Sequence, residues 1–130
     1  MAVISPSDTL THQLSEVLDG LPNRSLFAAV HQAVRYMSHM NRAVSEGYLQ
    51  YHSDFFADSP SVTKEESEKA RELISTIEMA EGKKVSEMPG DEAGRYVTFL
   101  TDLMFNLTAK DYPLNAERGR SLLNQMRAKW

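Results

Sequence analysis

A chain of 130 residues, 42% hydrophobic and 25% charged, has the size and make-up of one globular domain with a modest core. It has no run of about 18 apolar residues, which excludes a helical membrane span. The absence of cysteine removes disulfides, thiolate nucleophiles, zinc-thiolate sites and iron–sulfur clusters, and a net charge of −4 argues against nucleic acid as the main partner.

The opening MAVISPSDTL carries neither a basic region nor an apolar stretch of about 7–15 residues, so no Sec-type signal peptide is expected. The expected setting is cytoplasmic, or export by a route that needs no such signal. Ser5 and Pro6 open a first helix, with Ser5 as N-cap and Asp8 in the first turn. Leu10, Leu14, Val17 and Leu18 recur at helical spacing, and DGLPN at 19–23 stops the helix.

Asn23 or Ser25 is the expected cap of a second helix. From Phe27, steps of three and four meet Val30, Val34, Met37, Asn41, Val44, Tyr48, Tyr51 and Phe55. Neither Gly nor Pro falls between 24 and 46. The pattern predicts an unusually long helix over about 24–57, either continuous or kinked at Gly47. At 1.5 Å per residue it would be about 51 Å long. The whole domain should be only roughly 36 Å across, from a radius of gyration of about 14 Å. The excess must fold back at Gly47, or its aromatic end must be covered by another chain. Asn41 is the polar member of the apolar seam, and in parallel coiled coils such an Asn sets register and partner number.

Thr63 and Glu66 form a capping box that starts a third helix, with Ala70, Leu73, Ile74, Ile77 and Ala80 on one face and Gly82 after its end. EGKKVSEMPGD at 81–91 reads as a loop. A fourth helix starts near Asp91 and buries Tyr96, Val97, Leu100, Leu103, Met104 and Leu107. Pro113 ends it, and Asn115 caps a fifth helix bearing Leu122, Leu123, Met126 and Trp130. No segment alternates with period two between turn signals. The expected fold is a single-domain, all-α bundle of about five helices spanning 1–130, with short loops joining antiparallel neighbours.

Candidate chemistry is sparse. The four histidines, His12, His31, His39 and His52, include no pair three or four apart, so helix-borne metal-ligand pairs are absent. Glu65, Glu66, Glu68, Glu72 and Asp102 are the candidates for a helical carboxylate-metal hydrolase. The E-E-x-x-E cluster of helical nucleotide pyrophosphohydrolases would need a carboxylate where Lys69 stands. Glu68 and Glu72 alternate with Lys64, Lys69 and Arg71 as a solvated face. Ser25, Ser38 and Ser45 lack a nucleophile-elbow context, and there is no glycine-rich phosphate loop. Arg118, Arg120, Arg127 and Lys129 make a local basic patch, which also suits the C-terminal end of a helix.

One five-residue pattern points to phosphate. His39-Met-Asn-Arg42-Ala43 resembles the H-x-x-K-G element of histidine-phosphotransfer domains, with Arg for Lys and Ala for Gly. The resemblance implies His39 as phospho-acceptor and Arg42 as its charge partner. The leading expectation is instead a non-catalytic protein-binding regulator of the inhibitor, immunity, adaptor or chaperone type. It has no cofactor, and its partner is another protein or a second copy in a homodimer. Its expected interface is Asn41, Val44, Tyr48, Tyr51, Phe55 and Phe56, because aromatic residues dominate interface cores.

Overall fold

The computed structural model describes residues 8–46 and 62–111, together with 113, 114, 117 and 121. The fold is an all-helical bundle, with no strand among the described residues. Helix α1 (Asp8–Leu18) buries Leu10, Leu14 and Leu18, whose spacing of four places them on one apolar stripe. It ends where Gly20 takes a positive φ of 79°, which costs Gly little. Helix α2 (Asn23–Met40) follows Pro22 and buries Leu26, Val30, Val34 and Met37 with the small residues Ala29 and Ala33. Asn23 does not act as the cap. It is the first helical residue, and its side-chain amide donates to Asp111 at 2.6 Å.

Helix α3 (Lys64–Glu81) begins at the expected capping box. The Glu66 amide donates to Thr63 Oγ1 at 3.1 Å, and the Thr63 amide donates to Glu66 Oε1 at 3.0 Å. Gly82 closes the helix in the left-handed region at φ 71°, its amide donating to Glu78 O at 2.9 Å. Thr63→Ala removes one half of the box and is expected to cost about 1 kcal/mol in urea unfolding. A loss below a few tenths would mean that the cap contributes nothing.

After a 3₁₀ turn at Val85–Glu87 comes helix α4 (Gly90–Thr108). It buries Tyr96, Val97, Leu100, Leu103 and Met104 as expected, and Phe105 as well. Leu107, expected inside, is 44% exposed, although Phe105 and Thr108 in the same last turn are buried.

Helix α2 packs against α3, α4 and the 3₁₀ turn, while α1 packs on α3. Phe27 meets Phe105 edge-to-face at 6.5 Å near one end of α2, and Asn41 meets the chain before α4 at the other, so α2 and α4 are antiparallel. Helix α3 runs alongside α2 in the same direction. Its first turn is bonded to Ser25, Arg71 lies over Tyr36 further on, and the turn beyond its end reaches Asn41. Among the described residues, one contiguous apolar cluster draws on α1 to α4, on Val44 and on Val85. No helix among the described residues is long and apolar enough to cross a membrane.

The main departure from expectation concerns the long helix. It ends at Met40, not beyond 55. Asn41 is extended (φ −137°, ψ 117°), and a separate helical stretch occupies 42–46. Gly47, the expected kink, lies outside the described residues, and so does the aromatic end of the expected helix; of the expected fifth helix from Asn115 only Glu117 and Ser121 are described, and both are helical.

Candidate functional site at the helix break

The break is built by one side chain. Asn41 is 8% exposed, and its amide nitrogen donates to Val85 O and to Met88 O, both at 3.0 Å. Its side-chain oxygen accepts from the Ala43 amide at 3.1 Å, as an N-cap does for the stretch 42–46. Its main chain bridges the two helices, with the Asn41 amide donating to Met37 O and Asn41 O accepting from Ser45. A continuous helix would point this side chain along the seam and leave two loop carbonyls without donors. Breaking the helix satisfies both carbonyls and the cap together, which outweighs one turn of α-helix.

This placement corrects the expected interface. Asn41 and Val44 are enclosed by the chain itself, Val44 completely, so neither offers surface to a second chain in this fold. Tyr48, Tyr51, Phe55 and Phe56 lie outside the described residues, as do Arg118, Arg120, Arg127 and Lys129 of the basic patch. His39 and Arg42 are both exposed but stand on opposite sides of the break, so the helical i, i+3 relation that the phosphotransfer element needs is lost. Arg42 instead faces Glu46 at 3.6 Å. Ala43, the small residue of that element, is turned inward onto Gly90. A Cβ placed at Gly90 would lie 2.6 Å from Ala43 Cβ, closer than two carbons approach.

The hydrolase carboxylates do not converge. Glu66 is held in its capping box, Glu72 lies 3.7 Å from Lys69, and Asn106 donates to Asp102 at 3.4 Å. Among the described residues no group of three or more His, Asp or Glu could hold a metal ion.

Sequence reasoning missed a second polar cluster, which anchors the loop between α3 and α4. Glu78 Oε2 accepts from the Val85 amide at 2.8 Å, and Lys83 pairs with the buried Glu92 at 3.0 Å. The Tyr96 hydroxyl donates to Glu81 Oε1. The Tyr96 hydrogen bond first, and the nearby Lys83 charge, hold the Glu81 carboxyl below its ordinary range. Burial first, and then Glu81, push the Tyr96 hydroxyl above the ordinary tyrosine range. The available signal was Glu92, four residues before Tyr96 and on the same face as Leu100: a carboxylate on an apolar stripe requires a buried partner. Between α2 and α3, the Tyr36 and Ser67 hydroxyls are 3.0 Å apart and the Arg71 guanidinium lies 5.7 Å from the Tyr36 ring centre. Hydrogen bonds from Ser67 and Gln32, with the Arg71 charge, lower the Tyr36 pKa.

These carboxylates fix a pH dependence. Glu81 and Glu66 are both lowered, Glu66 chiefly by the Thr63 amide, so their stabilisation is complete above the ordinary carboxylate range and lost as pH falls through the lower folded values. Unfolding free energy should fall on acidification below about pH 4.5, and Glu81→Gln should flatten that slope. A slope unchanged by Glu81→Gln would show that the Tyr96 bond adds nothing. Tyr96 is raised, so its contribution holds below the ordinary tyrosine pKa and is lost on the alkaline side.

Compared with known proteins, the chain matches no family model, no curated protein and no solved structure.

Proposed function

We propose that this chain is a non-catalytic helical protein that acts by binding another protein, in the manner of an inhibitor, immunity protein, adaptor or chaperone. The observation that carries the reading is the use made of the polar interior. Among the described residues, no buried side-chain nitrogen or oxygen lacks a hydrogen bond. Asn41 and Glu66 bond to main chain, Glu92 pairs with Lys83, and Thr98, Thr101 and Thr108 bond back to carbonyls of their own helix. Polar groups spent in this way serve architecture, which leaves the surface as the place of action.

The proposed contact residues are Tyr48, Tyr51, Phe55 and Phe56, with Met40, which is 43% exposed at the end of α2. Tyr, Phe and Met supply large contact area, and Met adapts to irregular partners. Self-association is one form of this binding. The double variant Tyr48→Ser, Tyr51→Ser should lose self-association and partner capture while circular dichroism and the thermal midpoint stay unchanged. If solution mass and capture both persist in the folded variant, the reading is wrong.

A further inference from the structure

We propose that the bend at Asn41 is a swap hinge: α2 and the stretch 42–46 join into one straight helix, and the chain from residue 42 onward then packs in a second copy of this protein. Three observations carry this. First, the connection is a single residue. Met40 and Arg42 are both helical, and only Asn41 is extended. Short hinges of this kind invite exchange between copies.

Second, the local sequence does not require the bend. No Gly or Pro falls between 24 and 46, so every residue there tolerates a helix. The bend is imposed from outside, by the Val85 and Met88 carbonyls on Asn41.

Third, the apolar spacing runs through the hinge unaltered. Val30, Val34 and Met37 on one side and Val44 on the other are all buried, with Asn41 in register between them. In a swapped pair, the segment from residue 42 onward keeps its own contacts, Ala43 on Gly90 included, and its packing against α1 and α2 re-forms with the other copy, so only hinge contacts change. The two straight helices then bring Asn41 opposite its twin, the arrangement in which a seam Asn specifies pairing.

Arg42→Pro separates the two states. Proline suits the first position of a helix and imposes extended angles on the residue before it, as Asn41 already has. It permits the bend and forbids the straight helix. Wild type, Arg42→Pro and Asn41→Ala are refolded at high protein concentration and sized by light scattering. The expected result is a dimer from wild type that persists on dilution, at least about tenfold more of it from Asn41→Ala, and only monomer from Arg42→Pro. No dimer from either wild type or Asn41→Ala, or the same dimer from Arg42→Pro, overturns the proposal. If Asn41→Ala does not fold, wild type against Arg42→Pro decides alone.

The inference rests on the binding reading, since self-association is one form of it, but the two fail separately. A dimer lost in Tyr48→Ser, Tyr51→Ser and kept in Arg42→Pro overturns the hinge and leaves the binding reading standing. A dimer lost only in Arg42→Pro supports the hinge and overturns the role given to the tyrosines.

Discussion

Asn41→Ala should destabilise the closed monomer by roughly 3 kcal/mol, measured by urea unfolding at low protein concentration. The change removes both donors to the loop and the acceptor for the Ala43 amide. Each lost hydrogen bond is worth about 1 kcal/mol, and a buried carbonyl left without a donor costs roughly 1–3 kcal/mol more. Alanine's better helix propensity returns only a few tenths of a kcal/mol to about 0.7. Asn41→Asp separates the two halves of the site. It keeps the cap acceptor but turns a carboxylate toward the Val85 and Met88 carbonyls, so it should cost at least as much as alanine. If Asn41→Asp were as stable as wild type, the loop bonds would count for nothing and the cap alone would make the break.

Gly90→Ala should also be destabilising, by about 1–3 kcal/mol, although alanine is the better helix former by roughly 1 kcal/mol. The new Cβ would lie 2.6 Å from Ala43 Cβ, an atom fixed to the backbone that cannot rotate away. One of the two segments must therefore move, and Asn41, two residues before Ala43, moves with it. Ala43→Gly removes the obstructing carbon, so the double variant should recover most of the loss. A coupling energy near zero in that cycle would show that the two segments do not press on each other. A neutral or stabilising Gly90→Ala would contradict the packing directly.

The helices themselves were legible because their signals are local. The Thr63–Glu66 box and Gly82 mark the two ends of α3 within a few residues, and the structure places both as expected. The interior of α4 could be read from the spacing of Tyr96, Leu100, Leu103 and Met104 for the same reason. The break at Asn41 could not. Its cause lies at Val85 and Met88, more than forty residues away, and nothing between 24 and 46 announces it. Periodicity followed the apolar seam through Asn41 because the seam is real on both sides: Met37 and Val44 are each fully buried. What changes at Asn41 is the direction of the chain, and a one-dimensional pattern carries no direction. The polar cluster of Glu78, Glu81, Glu92 and Tyr96 was hidden for a related reason. Its members lie apart in the sequence, on α3 and on α4, and only the fold brings them together.

The phosphotransfer element shows the same limit. His39 and Arg42 have the right spacing only if the backbone between them is helical, and Asn41 removes that condition. The seam Asn kept its importance but changed its role. Expected to face a partner helix, it instead holds the 3₁₀ turn of its own chain.

The account turns on the backbone at one residue. Carbon chemical shifts of residues 37–46 in solution report it most directly. The structure predicts helical Cα shifts through Met40, an extended value at Asn41 and helical values again from Arg42. Unbroken helical shifts from Asn23 through Glu46 in the monomer would contradict it.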